Sequence, residues 1–201
     1  MNWVLIHGES VTGMTLHEMV AKADAGQIIG QARVEIEFED TAHMLYRRLT
    51  AAAGRLLEEM LPAILDKTAP RISQDESQAT KYGGRRPEDG ILDFSNAAMT
   101  AYNLIRAVTT PYPGAFAFVD GRKWMVWWAR PESGSAREAM PGTVIQLNKS
   151  NGCKIACGDG ILNVLKCGWE HEPPMTIDEF ISKYPQALTV GRRLTGKEIL
   201  T

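Results

Sequence analysis

Apolar and polar residues alternate along two short stretches near the start of the chain. "GMTLHEMV" and "GQIIGQARVEI" therefore predict two strands. The turn between them, inside "AKADAGQIIGQ", carries one acidic residue, Asp24. Before the first strand, the apolar "NWVLIHG" is compatible with either a helix end or a strand.

A different spacing follows the second strand. Between positions 44 and 64, apolar residues recur at steps of three and four, which predicts one face of a long helix. Asp40 and Thr41 would supply its N-cap, and Pro62 predicts an end or a kink near its last turn. We therefore assign residues 1–75 to an α/β unit.

The pattern changes again after a polar, glycine- and proline-rich stretch, in which residues 76–90 are predicted to be a linker. "SNAAMTAYNLIRAV" has helical spacing, and "GAFAFV-DG-RKWMVWWA" predicts a hairpin with a two-residue Asp-Gly turn. "GTVIQL", "CKIAC" and "ILNVLK" add three short strands, a short helix follows with Thr176 as its cap, and the polar tail ends on apolar residues. About five strands joined by tight turns favour a small open β-barrel of the OB type over residues 91–201.

Composition limits the functions that this fold can serve. The 201 residues carry a net charge of −2, so no overall basic field attracts nucleic acid or anionic lipid. Three cysteines without a CxxC pair favour reduced thiols over zinc or disulfides, and the four scattered histidines predict no metal site. No basic leader or apolar run of about 20 residues is present. These features predict a cytoplasmic protein without a membrane contact.

Three local features have two interpretations each. Arg85 and Arg86 in "GGRRP" would suit a phosphate clamp or a solvated linker. Strict strand alternation would place Trp127 and Trp128 on opposite faces, so that one packs in the core and the other either stacks on a base or packs as well. Asp24 followed by Ala and Gly is typical of an ordinary turn, but a carboxylate at a strand end also suits catalysis.

A longer motif around Asp24 changes that balance. "NWVLIHGESVTGMTLHEMVAKADAGQIIGQ" resembles the formyltransferases that use 10-formyltetrahydrofolate, whose pattern is G-E…T-G-x-T…D-x-G-x-[IV]-x-x-Q. The matching positions, without gaps, are Gly8, Glu9, Thr12, Gly13, Thr15, Asp24, Gly26, Ile28 and Gln31. "ATKYGGRRPEDGILDFSNAA", "IRAVTTPYPGAFAFVDGRKWMVWWA" and "ACGDGILNVL" resemble the linker and C-terminal domain of the same family.

The resemblance implies a fold, a formyl donor and a site. It implies the C-terminal half of a Rossmann-like catalytic domain followed by the small barrel, and 10-formyltetrahydrofolate as the cofactor. Asp24 would be the catalytic carboxylate, which orients a histidine and stabilises its charged form while an amine attacks the formyl carbon. The residues whose loop would hold the pterin end of the folate are Val20, Ala21, Lys22, Ala23 and Asp24.

Two stretches favour one acceptor within the family. "GRRPEDG" and "PYPGAF" are closer to the enzyme that formylates UDP-4-amino-4-deoxy-L-arabinose, an amino-sugar reaction of lipid A modification, than to methionyl-tRNA formyltransferase. The net charge of −2 agrees, because tRNA binding needs cations against phosphates. Arg106 and Tyr112, near "TPYPGAF", are candidates for the acceptor pocket, although a helix-surface arginine and a packed tyrosine would explain them as well.

The resemblance also predicts a missing part. The family's catalytic asparagine and histidine lie in an N-x-H-P-S motif, which this sequence does not contain, and the corresponding half of the parallel sheet is absent with it. Three explanations remain open: a fragment of a formyltransferase, a split enzyme completed by a second polypeptide, or a non-catalytic module that binds through the barrel. We expect the chain to be inactive alone, and to self-associate or to bind a complementing N-terminal half.

Overall fold

The computed structural model describes residues 1–134 and 138–196, in which the chain forms two compact units. The first contains Glu9–Gly84 together with Met1, and the second contains Asn2–Gly8 and Arg85–Thr201. The ambiguous stretch "NWVLIHG" forms a helix, α1 (Asn2–Ile6), which belongs to the second unit. The helices and strands together confirm the mixed α/β class. The apolar end of the predicted tail lies outside the described residues.

The first unit consists of a β-hairpin and one long helix. Strands β1 (Val11–His17) and β2 (Ile28–Glu35) pair antiparallel, as the alternating pattern predicts, and helix α2 (Ala42–Leu65) packs against both. The buried helix residues follow the three- and four-residue steps seen in the sequence: Ala42, Leu45, Leu49, Ala52 and Leu56.

The start of α2 shows how the two predicted cap residues share the role. The Thr41 hydroxyl accepts the N-cap hydrogen bond at 3.3 Å from the backbone N–H three residues later. Asp40, which is 2% exposed, instead accepts a bond from the Glu37 N–H at 2.7 Å and fixes the chain before the helix. Pro62 lies inside the last turn, close to the predicted end of the helix.

The second unit is built on an antiparallel sheet. Helix α3 (Ala98–Val108) packs against α1, and the Asn2 side-chain amide donates to the Ala107 carbonyl at 2.6 Å. The strands of the sheet are β3 (Ala115–Val119), β4 (Arg122–Glu132), β5 (Val144–Asn148), β6 (Gly152–Ala156), β7 (Ile161–Trp169) and β8 (Met175–Thr176). They lie in the order β3-β4-β7-β6-β5, with β8 beside β7 and helix α4 (Ile177–Lys183) packed on β7.

The chain segment 191–195 joins the two outer strands of this sheet. Phe118 of β3 exchanges backbone hydrogen bonds of 2.9 and 3.1 Å with Thr195. Val144 of β5 donates to the Arg192 carbonyl and accepts from the Gly191 N–H, each at 2.8 Å. Both edges are therefore paired to one segment, which protects them from pairing with another chain. The OB classification of this sheet stays a prediction.

The β3–β4 connection confirms the predicted hairpin. Asp120 (φ +49°) and Gly121 (φ +74°) both adopt left-handed conformations, as a two-residue type I′ turn requires. Further along β4, Val126 faces Cys167 and Trp128 faces Lys166, which are neighbours on β7, so Trp127 is an extra residue in a β-bulge.

That bulge corrects the simple alternation predicted for the two neighbouring tryptophans. Trp127 and Trp128 are both half-buried, and the Trp128 ring meets the Tyr102 ring edge-on at a centroid distance of 5.9 Å. Neither ring forms an exposed stacking surface, which favours ordinary packing. The core of this unit instead contains the fully buried side chains Trp124, Tyr102, Phe180, Leu5, Leu92, Ile105, Ile155, Leu162, Leu188 and Leu194.

Candidate active site

Asp24 lies in the exposed loop that joins β1 to β2. Its side chain is 96% exposed, and its φ of +57° places it in the left-handed region, which few residues other than glycine adopt. The neighbouring positions 20–23 are exposed as well. The loop therefore presents both a carboxylate and its backbone to solvent.

The ends of this loop are held together by a close backbone approach. The Glu18 N–H donates to the Gln27 carbonyl at 3.0 Å. A Cβ atom on the buried Gly26 would lie only 1.8 Å from the Glu18 carbonyl oxygen. Only glycine fits at position 26, which explains its place in the motif.

Other motif residues also have structural explanations. Thr15 and Gln31 face each other across the hairpin, and the Gln31 amide donates to the Thr15 hydroxyl at 3.0 Å. At Gly13, a Cβ would lie 2.6 Å from the Ala32 carbonyl oxygen. Asp24 differs from these residues, because its carboxylate is solvent-exposed and buries nothing.

His17, at the end of β1, is the side chain that the fold brings to Asp24. The two groups are 3.7 Å apart, measured from Nε2 to Oδ1, and the His17 side chain is 27% exposed. Its Nδ1 lies 2.8 Å from the Glu18 carbonyl oxygen, which can only accept, so Nδ1 carries a proton. The other ring nitrogen, Nε2, faces the Asp24 carboxylate, and a proton bound at Nε2 would complete an ion pair between His17 and Asp24.

The sequence analysis did not single out His17. It lies seven positions before Asp24 and has no metal-ligand spacing to another histidine. The available clue was its place in a predicted strand whose partner begins just beyond the same loop, since the two strands of a hairpin lie side by side.

The polar segment after α2 lines a cavity beside the loop. This cavity of about 510 Å³ is bounded by the Asp24 loop, by Ile28 and Gln31, and by residues 73–81. The Lys22 ammonium contacts both carboxylate oxygens of Glu76 at 2.8 Å, and this hydrogen bond lowers the pKa of Glu76. The segment predicted partly as a linker thus forms one wall of the candidate site.

One side chain of this wall, that of Gln74, hydrogen-bonds to the loop backbone. The Gln74 amide nitrogen, Nε2, donates to the Asp24 and Gly26 carbonyls, at 2.7 Å each. No sequence motif indicated this contact.

The two predicted acceptor residues lie in the second unit. Arg106 on α3 is 5% exposed, and its Nε donates to the Asn103 side-chain oxygen at 2.9 Å. Burial lowers the pKa of its guanidinium. Tyr112 follows α3 and is half-buried, with its N–H donating to the Thr109 carbonyl at 3.0 Å. Arg106 is thus a buried helix residue rather than the helix-surface arginine of the alternative interpretation.

The arginine pair of "GGRRP" also has local contacts. Arg85 donates to the Asp89 carbonyl at 2.7 Å, and its guanidinium lies 5.1 Å from the centre of the Trp3 ring. The Arg86 N–H donates to the Asp89 carboxylate at 2.7 Å. These contacts favour a structural role for Arg85, and phosphate binding by the pair stays a prediction.

The described residues, 1–134 and 138–196, contain no cluster of three or more histidine, cysteine, aspartate or glutamate side chains arranged to hold a metal ion. Within the same ranges, every helix is too short or too polar to cross a membrane.

Comparison with known families matches both units of the chain. The family described as "Formyl transferase, C-terminal domain" matches residues 85–185, and the family described as "Formyl transferase" matches residues 1–61.

Solved structures show the same fold. HypX from Aquifex aeolicus, in complex with tetrahydrofolic acid, is similar to 93% of this chain over 33% of its own length, at a TM-score of 0.68 and 19% identity. An N-formyltransferase from Helicobacter canadensis, in complex with folinic acid and dTDP-3-aminofucose, matches 80% of the chain over 58% of its length (TM-score 0.64, 19% identity). Methionyl-tRNA formyltransferase from Clostridium thermocellum matches 68% over 57% (TM-score 0.50, 19% identity). The chain thus spans a third of the length of HypX and under two thirds of the other two.

Proposed function

The chain belongs to the formyltransferase family, and from this membership we propose that it takes part in formyl transfer from 10-formyltetrahydrofolate to a primary amine. The observation that carries the proposal is the exposed Asp24 carboxylate, 3.7 Å from His17, beside a cavity of about 510 Å³. The other motif residues discussed above serve the hairpin, whereas this carboxylate is left available for chemistry.

The proposed role of Asp24 is electrostatic. Formyl transfer to an amine requires a basic group that accepts the amine's proton, and a negative charge that stabilises this basic group once it is protonated. His17 Nε2 faces the carboxylate, so a proton held at Nε2 is stabilised by Asp24. The family's N-x-H-P-S residues are not among these 201 residues, and we propose that polypeptide outside this sequence supplies them.

The loop Val20–Asp24 is proposed to hold the formyl donor, which supplies the formyl group. Its residues are exposed, and among the described residues none accepts a hydrogen bond from its backbone N–H groups. Such unused donors suit the carbonyl and ring nitrogen acceptors of a pterin. The apolar side chains of Met19 (96% exposed) and Val20 (50% exposed) add surface that a flat ring would cover.

The proposed acceptor is the amine of a nucleotide-linked amino sugar of the UDP-4-amino-4-deoxy-L-arabinose type. The stretches "GRRPEDG" and "PYPGAF" support this choice, as does the net charge of −2, which suits tRNA poorly. Arg106 and Tyr112 are the residues proposed to contact this substrate. Formylation of methionyl-tRNA is the alternative acceptor reaction.

The first test measures binding of tetrahydrofolate to the 201-residue chain by calorimetry. Binding that weakens at least about tenfold when Val20 is changed to Asp would support the donor loop, because a carboxylate repels electron-rich ring atoms and removes apolar surface. Unchanged binding by Val20→Asp would reject this loop as the donor site.

The second test measures turnover with labelled 10-formyltetrahydrofolate, using the chain joined to, or mixed with, a polypeptide that carries the N-x-H-P-S motif. Asp24→Asn should lower kcat about a hundredfold, equivalent to about 3 kcal/mol of barrier. Asp66→Asn, at the exposed end of α2, is the matched control and should leave kcat unchanged. Comparing the amino-sugar nucleotide with methionyl-tRNA identifies the acceptor.

Three results would contradict these proposals. Turnover that survives Asp24→Asn removes the catalytic role of this carboxylate. Robust turnover by the 201 residues alone would show that the N-x-H-P-S residues are not needed. Ligand binding without turnover in any arrangement would favour a binding module.

A further inference from the structure

The Asp24 loop is held from outside by a segment far away in sequence. The side-chain amide of Gln74 donates to the carbonyl oxygens of Asp24 and Gly26, at 2.7 Å in both cases. A primary amide has two N–H bonds, so one side chain ties the backbone on both sides of Ala25. These contacts lie directly at the residue whose carboxylate is proposed to act in catalysis.

Gln74 is itself anchored to the hairpin. Two residues earlier, Ile72 exchanges backbone hydrogen bonds with Ile28 of β2, of 2.8 and 3.0 Å. The Arg71 side chain contacts the Glu18 carboxylate at 2.9 Å. Residues 71 and 72 are therefore fixed beside the start of β2, and this pairing with the hairpin places Gln74 next to the loop.

The loop needs such a constraint for a conformational reason. Asp24 has a φ of +57°, in the left-handed region, which aspartate tolerates better than most residues but at a higher energy than ordinary backbone, so contacts that hold it there stabilise the loop. A neighbouring contact, Lys22 with Glu76, joins two exposed side chains and does not touch the backbone at Asp24. Gln74 is thus the contact that acts on the conformation of Asp24 directly.

We propose that Gln74 is a positioning residue, which holds Asp24 in its left-handed conformation and so keeps its carboxylate opposite His17. This inference rests on the proposed function for its catalytic consequence. Its structural part, that Gln74 holds the loop, does not depend on that function.

The structural part is tested by trypsin cleavage after Lys22 in the folded chain, followed by mass spectrometry. Gln74→Met keeps the length of the side chain but removes both donors, and should accelerate this cleavage at least about fivefold. Gln78→Met is the matched control, because Gln78 lies in the same exposed segment but donates to Asp75 rather than to the loop. Cleavage at the wild-type rate in Gln74→Met would overturn the proposal, as would equal acceleration in Gln78→Met.

The catalytic part is tested by a double-variant cycle in the complete, active form described above. Gln74→Met should lower kcat about tenfold, leave the KM of the amine unchanged, and leave the urea midpoint of unfolding unchanged. In the Asp24→Asn background the same substitution should have no further effect, since Gln74 acts through Asp24. Additive effects would show a general structural role and overturn the positioning role.

The two levels of failure are distinguishable. If the complete wild-type form transfers no formyl group, the proposed function fails, and the positioning role in catalysis fails with it. Cleavage after Lys22 still decides whether Gln74 holds the loop. If cleavage accelerates but kcat is unchanged, the proposed function stands and the positioning role is wrong.

Discussion

The two units hold their conformations by different means. In the second unit, Trp124 of β4 and Phe180 of α4 are fully buried, and the outer strands of the sheet are both paired to the segment 191–195. In the first, a two-stranded hairpin and one helix support an exposed loop. The conformation of that loop depends on the hydrogen bonds of Gln74 and on the close backbone approach at Gly26.

The difference matters for function. Burial of large side chains stabilises a unit by several kcal/mol per residue but leaves no reactive group accessible. A carboxylate that must meet a substrate has to be exposed, so its position depends on hydrogen bonds and on backbone geometry. The expected responses to substitution should therefore differ between the units.

The largest expected effect of a single substitution is that of Trp124→Ala in the second unit. Removing a fully buried indole should lower the free energy of unfolding by about 3–5 kcal/mol. Tryptophan fluorescence in urea measures it, and all five tryptophans belong to this unit, so the signal does not report on the loop unit. Trp128→Ala, at a half-buried position, should cost less; an equal or larger loss would contradict the packing described here.

The next effect concerns pH. Burial raises the pKa of Cys153 to about 12 and that of Cys157 to about 11, and it also raises the pKa of Cys167. Thiols of the unfolded chain ionise near pH 8.5, so folding stability is full below that pH and falls as the pH rises towards the folded values. Each thiol contributes a loss of about 1.4 kcal/mol per pH unit in this range.

Urea unfolding at pH 8 and at pH 10, monitored by tryptophan fluorescence, measures this loss. Cys167→Ala should reduce the fall of the free energy of unfolding per pH unit by about a third, because one of three thiols is removed. Stability that does not change between these pH values, or rapid alkylation of the folded protein at pH 8, would show that the thiols are not buried as described.

A smaller effect is expected from Gly26→Ala in the first unit. The added Cβ would lie 1.8 Å from the Glu18 carbonyl oxygen, so the loop must shift, at a cost of about 1–3 kcal/mol. Hydrogen exchange of the hairpin amides measures it. Gly54→Ala is the matched control, because no atom lies within 4 Å of its added Cβ, and in α2 it should stabilise by about 0.5–1 kcal/mol. Equal protection in both variants would contradict the close approach at Gly26.

The smallest effects are those of the two helix caps, one in each unit. Thr41→Ala and Thr176→Ala each remove a side-chain oxygen that accepts a 3.3 Å bond from the backbone, and each should cost about 1 kcal/mol. Urea unfolding, followed by circular dichroism for the first and by fluorescence for the second, measures the losses. Serine should restore most of the stability at both positions, and failure to do so would point to lost packing of the threonine methyl group instead.

Much of the fold could be predicted from local patterns. Alternation predicted β1 and β2, three- and four-residue spacing predicted α2, and the Asp-Gly pair predicted the β3–β4 turn. Each prediction was confirmed because it depends on residues close together in sequence. The bulge at Trp127 was not predicted, because an inserted residue shows only when the partner strand is known.

The candidate site divides in the same way. The motif around Asp24 could be identified in the sequence, and with it the formyltransferase family that the comparisons show. That His17 faces Asp24, and that Gln74 ties the loop from 50 residues away, depended on how the hairpin closes and where residues 71–74 pair with it. Hydrophobic period and turn chemistry act over a few residues, so they determine elements and motifs. Contacts between distant side chains arise only when tertiary packing brings those elements together, and here they decide the geometry around the exposed Asp24 carboxylate.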